Sequence, residues 1–129
     1  MTATIETTET PTRVLVVDDN ADAATTLGVL LTAAGYQVQT SFNGADALAA
    51  AERFAPDACV LDIDMPGMDG YELARRLRAG GRRPVLATVT ALADHDHLTR
   101  AADAGFDLHF TKPADPTEVA EQLAETVRR

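Results

Sequence analysis

The side chains best able to do chemistry stand where apolar runs stop. Asp18 and Asp19 follow the run RVLVV at 13–17, Asp62 follows residues 57–61, Thr90 follows residues 84–89, and Lys112 comes just after residues 108–110. Asp64 lies two positions beyond Asp62 in DIDMPGMDG, where Pro66, Gly67 and Gly70 turn the chain at once. Any one of these residues alone is an ordinary turn or cap residue; the weight lies in the set. Ionised carboxylates about 4 Å apart repel by on the order of 4 kcal/mol per pair at an effective dielectric near 20. Three acids gathered together must therefore take up protons or hold a cation. Oxygen ligands with no His or Cys beside them suit a hard ion, and Mg²⁺ takes a few carboxylates together with waters and a phosphoryl oxygen. Lys112 is the only lysine in a chain with ten arginines, and its compact ammonium suits an anionic oxygen. Phosphate chemistry is the expectation. The chain has no GxxxxGK[ST] loop for a nucleotide and no base beside a Ser or Cys, so the available nucleophile is a carboxylate. A cation, a lysine and a hydroxyl around it could stabilise the equatorial oxygens of a transferring phosphoryl group.

Bringing these residues together requires strands whose C-terminal ends share one edge. Residues 13–17 (RVLVV) are apolar and mostly β-branched after Arg13, as in a strand buried on both faces. Leu27, Leu30, Leu31 and Ala34 then recur at helical spacing, and Gly35 stands at the cap position. The alternation continues with a strand at 36–40, an alanine-rich helix at 45–54, a strand at 57–61, a helix at 71–78, a strand at 84–89, a helix at 94–104 and a strand at 108–110. The last helix opens on Asp115-Pro116, an N-cap and a first-turn proline, and carries Val119, Leu123 and Val127 as its stripe. Five β/α units predict an α/β fold, a doubly wound five-stranded parallel sheet with five helices. In such sheets ligands collect at the C-terminal ends of the strands, beside the point where strand order reverses.

The 129 residues fit one domain with a single core, and 46% hydrophobic with 24% charged residues is ordinary for a globular chain. A formal charge of −9 opposes nucleic acid and anionic membrane surfaces as partners. Residues 1–12, rich in Thr and Glu, read as a solvated lead-in ahead of a domain at 13–129; they lack the basic start and apolar stretch of a secretory signal. No apolar run approaches a membrane span, and the cytoplasm is the expected compartment. Cys59 reads as a small core residue. Arg75, Arg76, Arg78, Arg82 and Arg83 are expected on a solvated helix face, with Glu72 pairing with Arg76 one turn away. His95 and His97, two apart in DHDH, do not share a helix face and are expected at a solvated helix entry.

VLVVDDN at 14–20, DIDMPGMDG at 62–70, Thr90-Ala91 and FTKP at 110–113, in that order, resemble the receiver domain of two-component response regulators over residues 13–129. The resemblance implies a flavodoxin-like sheet of strand order 2-1-3-4-5. It implies that Asp62 receives a phosphoryl group from a phosphohistidine on a histidine kinase or histidine phosphotransfer protein. Mg²⁺ would be bound directly by Asp19, through water by Asp18, by Asp62, and by the backbone carbonyl of Asp64. Thr90 and Lys112 would contact phosphoryl oxygens, and the Lys112–Pro113 peptide would be cis. His109 departs from the family, which has a coupling aromatic at that position. A histidine there fills the space, and it is expected in a structural or partner-facing role. Docking to a downstream protein is expected through the last two helices and the strand between them. With no output segment after Arg129, a stand-alone receiver or phosphorelay intermediate is expected, and a receiver cut from a hybrid kinase would read the same. Two competing readings stay open: a haloacid-dehalogenase-like phosphatase, suggested by the DxD of Asp62-Ile63-Asp64, and a binding-only scaffold that ignores phosphate.

Overall fold

The computed structural model describes residues 10–91 and 94–128, so most of the lead-in segment lies outside the described residues. Five strands alternate with five helices: β1 Arg13–Val17, α1 Ala21–Ala33, β2 Gln37–Ser41, α2 Gly44–Phe54, β3 Ala58–Asp62, α3 Gly70–Ala79, β4 Val85–Thr90, α4 His95–Ala104, β5 Leu108–Thr111 and α5 Pro116–Val127. The strands form one parallel sheet in the order β2-β1-β3-β4-β5. The order reverses between β1 and β3, where Asp18 and Asp62 lie.

Local chemistry starts each helix. Asn20, Asn43, Asp69, Asp94 and Asp115 each accept, through a side-chain oxygen, a backbone N–H of the first turn at 2.8–3.1 Å. Such caps contribute about 1 kcal/mol each. Alternation along the strands splits the core in two. Leu15, Val17, Cys59, Leu61 and Leu86 pack with Leu73, Ala101 and Phe106 on the face covered by α2, α3 and α4. Val14, Val16, Val60, Val89 and Phe110 pack with Leu31, Val119 and Leu123 on the face covered by α1 and α5. Cys59 is fully buried, and burial pushes its thiol up to about 12, as expected of a core residue.

Four strands end one residue later than the apolar pattern predicts, at Ser41, Asp62, Thr90 and Thr111. Ser41 still pairs in register with Val17, Asp62 with Val89 and Thr90 with Thr111, because the ladder is made by backbone groups that the side-chain pattern does not report. The predicted stripe of α1 also needs correction. Its buried face runs through Ala24, Gly28 and Leu31, while Leu30 is 43% exposed.

The arginine cluster divides. Arg76 pairs with Glu72 at 2.7 Å on the surface, as the spacing predicts. Arg78 does not belong to the solvated face. Its guanidinium donates to the Pro84 carbonyl at 2.6 Å, the Gly105 carbonyl at 2.7 Å and the Asp107 carboxylate at 2.9 Å, while that carboxylate also accepts from the N–H of Leu86. One side chain thus ties the entrance of β4, the end of α4 and the entrance of β5. Charge-assisted bonds of this kind contribute about 1.5–3 kcal/mol each, and truncation strands their partners. Arg78→Ala is expected to lower unfolding free energy by about 2–3 kcal/mol, read as a fall in urea midpoint, whereas Arg75→Ala on the exposed face is expected to stay within about 0.5 kcal/mol of wild type.

Candidate functional site

Strand parity decides which side chains meet. Asp18 continues β1, its N–H bonded to the Ser41 carbonyl at 3.2 Å, and Lys112 continues β5, its N–H bonded to the Thr90 carbonyl at 2.9 Å. Asp18, Asp62 and Lys112 share the parity of Val16, Val60 and Phe110, so all three stand toward the α1/α5 side at the C-terminal edge. The Lys112 ammonium lies 3.2 Å from an Asp18 oxygen and 3.2 Å from an Asp62 oxygen. Oxygens of Asp18, Asp19 and Asp62 all lie within 4.8 Å of one another, with Asp18 and Asp62 buried and Asp19 exposed. The other Asp18 oxygen accepts the N–H of Asn20 at 2.9 Å. Thr90 is buried at the end of β4, on the opposite parity. The Lys112–Pro113 peptide is cis.

The loop after β3 closes against its own strand. The Ile63 carbonyl accepts from both the Met65 N–H at 3.0 Å and the Gly70 N–H at 2.9 Å. Gly70 packs so closely that a Cβ there would collide with the Asp62 carbonyl oxygen and stand 2.8 Å from the Ile63 Cα. Gly67 adopts a φ of +81°, a conformation other residues resist. The rigid strand end and tight loop leave the acids at the mouth of an open cleft of about 680 Å³ between α1 and the start of α5. The Asp64 side chain is exposed and outside the carboxylate cluster.

Electrostatics at the site are unbalanced. Burial first, then the Asp18 charge, raises Asp62 to about 6, against the opposing pull of Lys112. Burial alone would lower Lys112, but its hydrogen bonds and charge interactions with Asp18 and Asp62 leave it raised. Three carboxylates against one ammonium leave two negative charges when all are ionised. A divalent hard cation matches that charge and the all-oxygen donor set, so the residues fit Mg²⁺.

His109 lies exposed on β5, and His95 is exposed at the start of α4. His97 is the correction: it is 2% exposed, with Nδ1 2.6 Å from the Tyr71 hydroxyl. Its helix buries this side against α3 and β5, which a spacing of two could not indicate. Val119 and Leu123 of α5 lie wholly in the core, so that helix can offer partners only its other faces.

A parallel 2-1-3-4-5 sheet with five helices defines a flavodoxin-like α/β domain, here with acids and a lysine at its reversal point. The family model for the response regulator receiver domain matches residues 14–124, and the chain belongs to that family, the receiver of two-component response regulators. It is 39% identical over 118 residues to the transcriptional regulatory protein KdpE of Mycobacterium tuberculosis, covering 92% of this chain and 52% of that protein. It is 35% identical over 125 residues to the transcriptional regulatory protein PrrA of Mycobacterium bovis, covering 97% and 54%. The chain thus spans about half the length of the curated relatives it matches. Among solved structures, a CheY-like response regulator receiver domain protein from Methanospirillum hungatei superposes with a TM-score of 0.86 at 25% identity, covering 92% of this chain and 95% of that one. Chemotaxis protein CheY4 of Vibrio cholerae superposes with a TM-score of 0.83 at 25% identity, covering 90% and 98%. Among the described residues, no helix is long and apolar enough to cross a membrane.

Because Asp62 sits above its ordinary value of 3.8, the folded state holds a proton there that the unfolded chain has released. Its contribution to stability is full below that value and is lost as pH rises through about 6. In metal-free buffer, carboxyl ¹³C shifts are expected to place the Asp62 midpoint near 6. Asp18→Asn should move it down and Lys112→Ala up. Asp62→Asn should raise the urea midpoint relative to wild type at neutral pH, with the difference closing as pH falls toward 4.

Proposed function

We propose that Asp62 accepts a phosphoryl group from a phosphohistidine on a histidine kinase or histidine phosphotransfer protein. The observation that carries this reading is the convergence of Asp18, Asp19 and Asp62 within 4.8 Å, with Lys112 3.2 Å from the acceptor. An Asp62 carboxylate oxygen attacks phosphorus in line, the P–N bond breaks, and its electron pair returns to the donor imidazole. Lys112 and the Thr90 hydroxyl take up the phosphoryl oxygens, and hydrolysis later returns Asp62 and inorganic phosphate. Asp19 directly, Asp18 through water, Asp62 and the Asp64 backbone carbonyl would hold Mg²⁺. Bound there, the ion would supply charge neutralisation. The Lys112 ammonium, shared by Asp18 and Asp62, lies within reach of an anion arriving at Asp62.

The cleft beside the acids is open enough for a protein donor's imidazole to approach. A phosphoryl group adds roughly two negative charges to this edge. We take residues 13–129 as the receiver unit, and the α4, β5 and α5 surface as the place where a downstream protein reads the charge. This chain is a signalling phosphoacceptor that assists its own phosphorylation and slow hydrolysis.

Incubation with acetyl phosphate and Mg²⁺, followed by intact-mass measurement, tests the reading. Wild type is expected to gain one phosphoryl group, Asp62→Asn none, and Lys112→Ala on the order of tenfold less at equal times. Removal of Mg²⁺ with a chelator should abolish the gain. A gain surviving in Asp62→Asn would overturn the acceptor assignment, no gain in either protein would favour a binding-only scaffold, and rapid turnover of the donor would favour a phosphatase.

A further inference from the structure

The face of the sheet opposite the acids carries a cluster that the phosphoacceptor site does not use. His97 is buried, its Nδ1 lies 2.6 Å from the Tyr71 hydroxyl, and among the described residues its Nε2 has no hydrogen-bond partner. The His109 ring stands perpendicular to it at 6.0 Å between centroids. Thr88 pairs in register with His109, is fully buried, and its hydroxyl is likewise without a partner among the described residues. Two unsatisfied polar atoms in one seam are costly, at about 1–3 kcal/mol each, so α4 is seated over β5 in a packing that polar chemistry does not favour. Parity puts Thr90 on this same face, two residues beyond Thr88. Thr90 therefore links the acid edge to the histidine seam.

We propose that His97 is a proton-controlled latch: neutral, it lets α4 sit against α3 and β5; protonated, it loosens that seat and frees the Thr90 end of β4. The inference rests on the phosphoacceptor reading for its effect on signalling, but the latch itself does not require phosphate. In the neutral tautomer with its hydrogen on Nε2, the Tyr71 hydroxyl donates to Nδ1. A second proton on Nδ1 turns that acceptor into a donor, so the phenol must rotate its own hydrogen away. The new charge also meets like charge. His109 faces it from β5, and from α4 Arg100, whose guanidinium lies 4.2 Å over the Tyr71 ring, adds to the repulsion. Asp94 at the head of α4 is the opposing acid. Asp69 at the head of α3 and Asp96 on α4 act on the Tyr71 phenol, and β4 carries no charged residue.

Burial first, then His109, holds His97 below the ordinary value of 6.5. Above that value the seated and loosened forms are both neutral, and the latch is fully closed. As pH falls from there toward the lowered value, only the loosened form takes up the proton, and seating weakens up to about tenfold per pH unit.

Histidine ring NMR and amide exchange on the unphosphorylated chain test the latch. His97 is expected to titrate below 6.5, and His109→Tyr, which removes the neighbouring imidazole, should move the His97 midpoint up. Protection of α4 amides, corrected for intrinsic exchange, should fall between pH 7 and 5.5 in wild type, by up to about tenfold per pH unit, and stay level in His97→Phe, which fills the pocket without a proton. A His97 midpoint at or above 6.5, or α4 protection equally pH-independent in both proteins, would overturn the proposal. Acetyl phosphate labelling should show the wild-type to His97→Phe ratio rising over the same range, a comparison in which the titration of Asp62 cancels. If neither protein takes up phosphate, the acceptor assignment fails while the exchange data still decide the latch.

Discussion

Like charge held close together is the constraint around which this molecule is arranged. Three carboxylate oxygens within 4.8 Å repel strongly unless something fixes them and something answers their charge. The fixing is done by β1 and β3, central strands with apolar cores on both faces, whose last turns of backbone bonding extend to Asp18 and Asp62. The answering is done in part by Lys112, at the end of a third strand. Its single ammonium bridges Asp18 and Asp62 but does not restore Asp62 to an ordinary carboxylate. Asp62 is thus kept in a state that a cation or a proton improves, and the sheet supplies the rigidity that prevents the acids from simply moving apart.

Much of this was legible in the order of residue types. The alternation of short β-branched runs with capped helices led to the parallel sheet, and the sheet rule led to the edge where acids and lysine meet. Loop breakers after Asp62 announced a tight turn, which Gly70 makes by lying against the backbone of Ile63. What the sequence hid has physical reasons. Strand ends at Ser41, Asp62 and Thr90 are set by backbone bonds that polar side chains conceal. Arg78 looked like its neighbours because two of its three partners are carbonyl oxygens, which every residue has. His97 looked solvated because its burial depends on Tyr71, twenty-six positions away in the chain, and on how α3 and α4 pack.

The two faces of the sheet carry different side-chain chemistry, and β4 contributes to both. Val89 faces the α1/α5 core, while Thr88 and Thr90 stand on the other side, against the histidine seam. A short strand of six residues thus has its final side chain beside the acids' edge and its penultimate polar one in a buried, unsatisfied environment. Rearrangement at one place cannot leave the other untouched, since within a strand the positions of alternate side chains are set by one continuous backbone.

Arg78 gives that coupling a mechanical asymmetry. By gripping the carbonyl of Gly105 it pins the last residue of the α4 cap to the entrances of β4 and β5, at the end of the molecule far from the acids. Among the described residues, the head of α4 has no comparable anchor in the sheet; it rests on the Asp94 cap and on aromatic contacts. Displacement of this helix is therefore a cantilever motion with its pivot at Gly105, so a small tilt at the fixed base becomes its largest excursion beside the exposed ring of His109. The geometry amplifies at the tip what the clamp suppresses at the root.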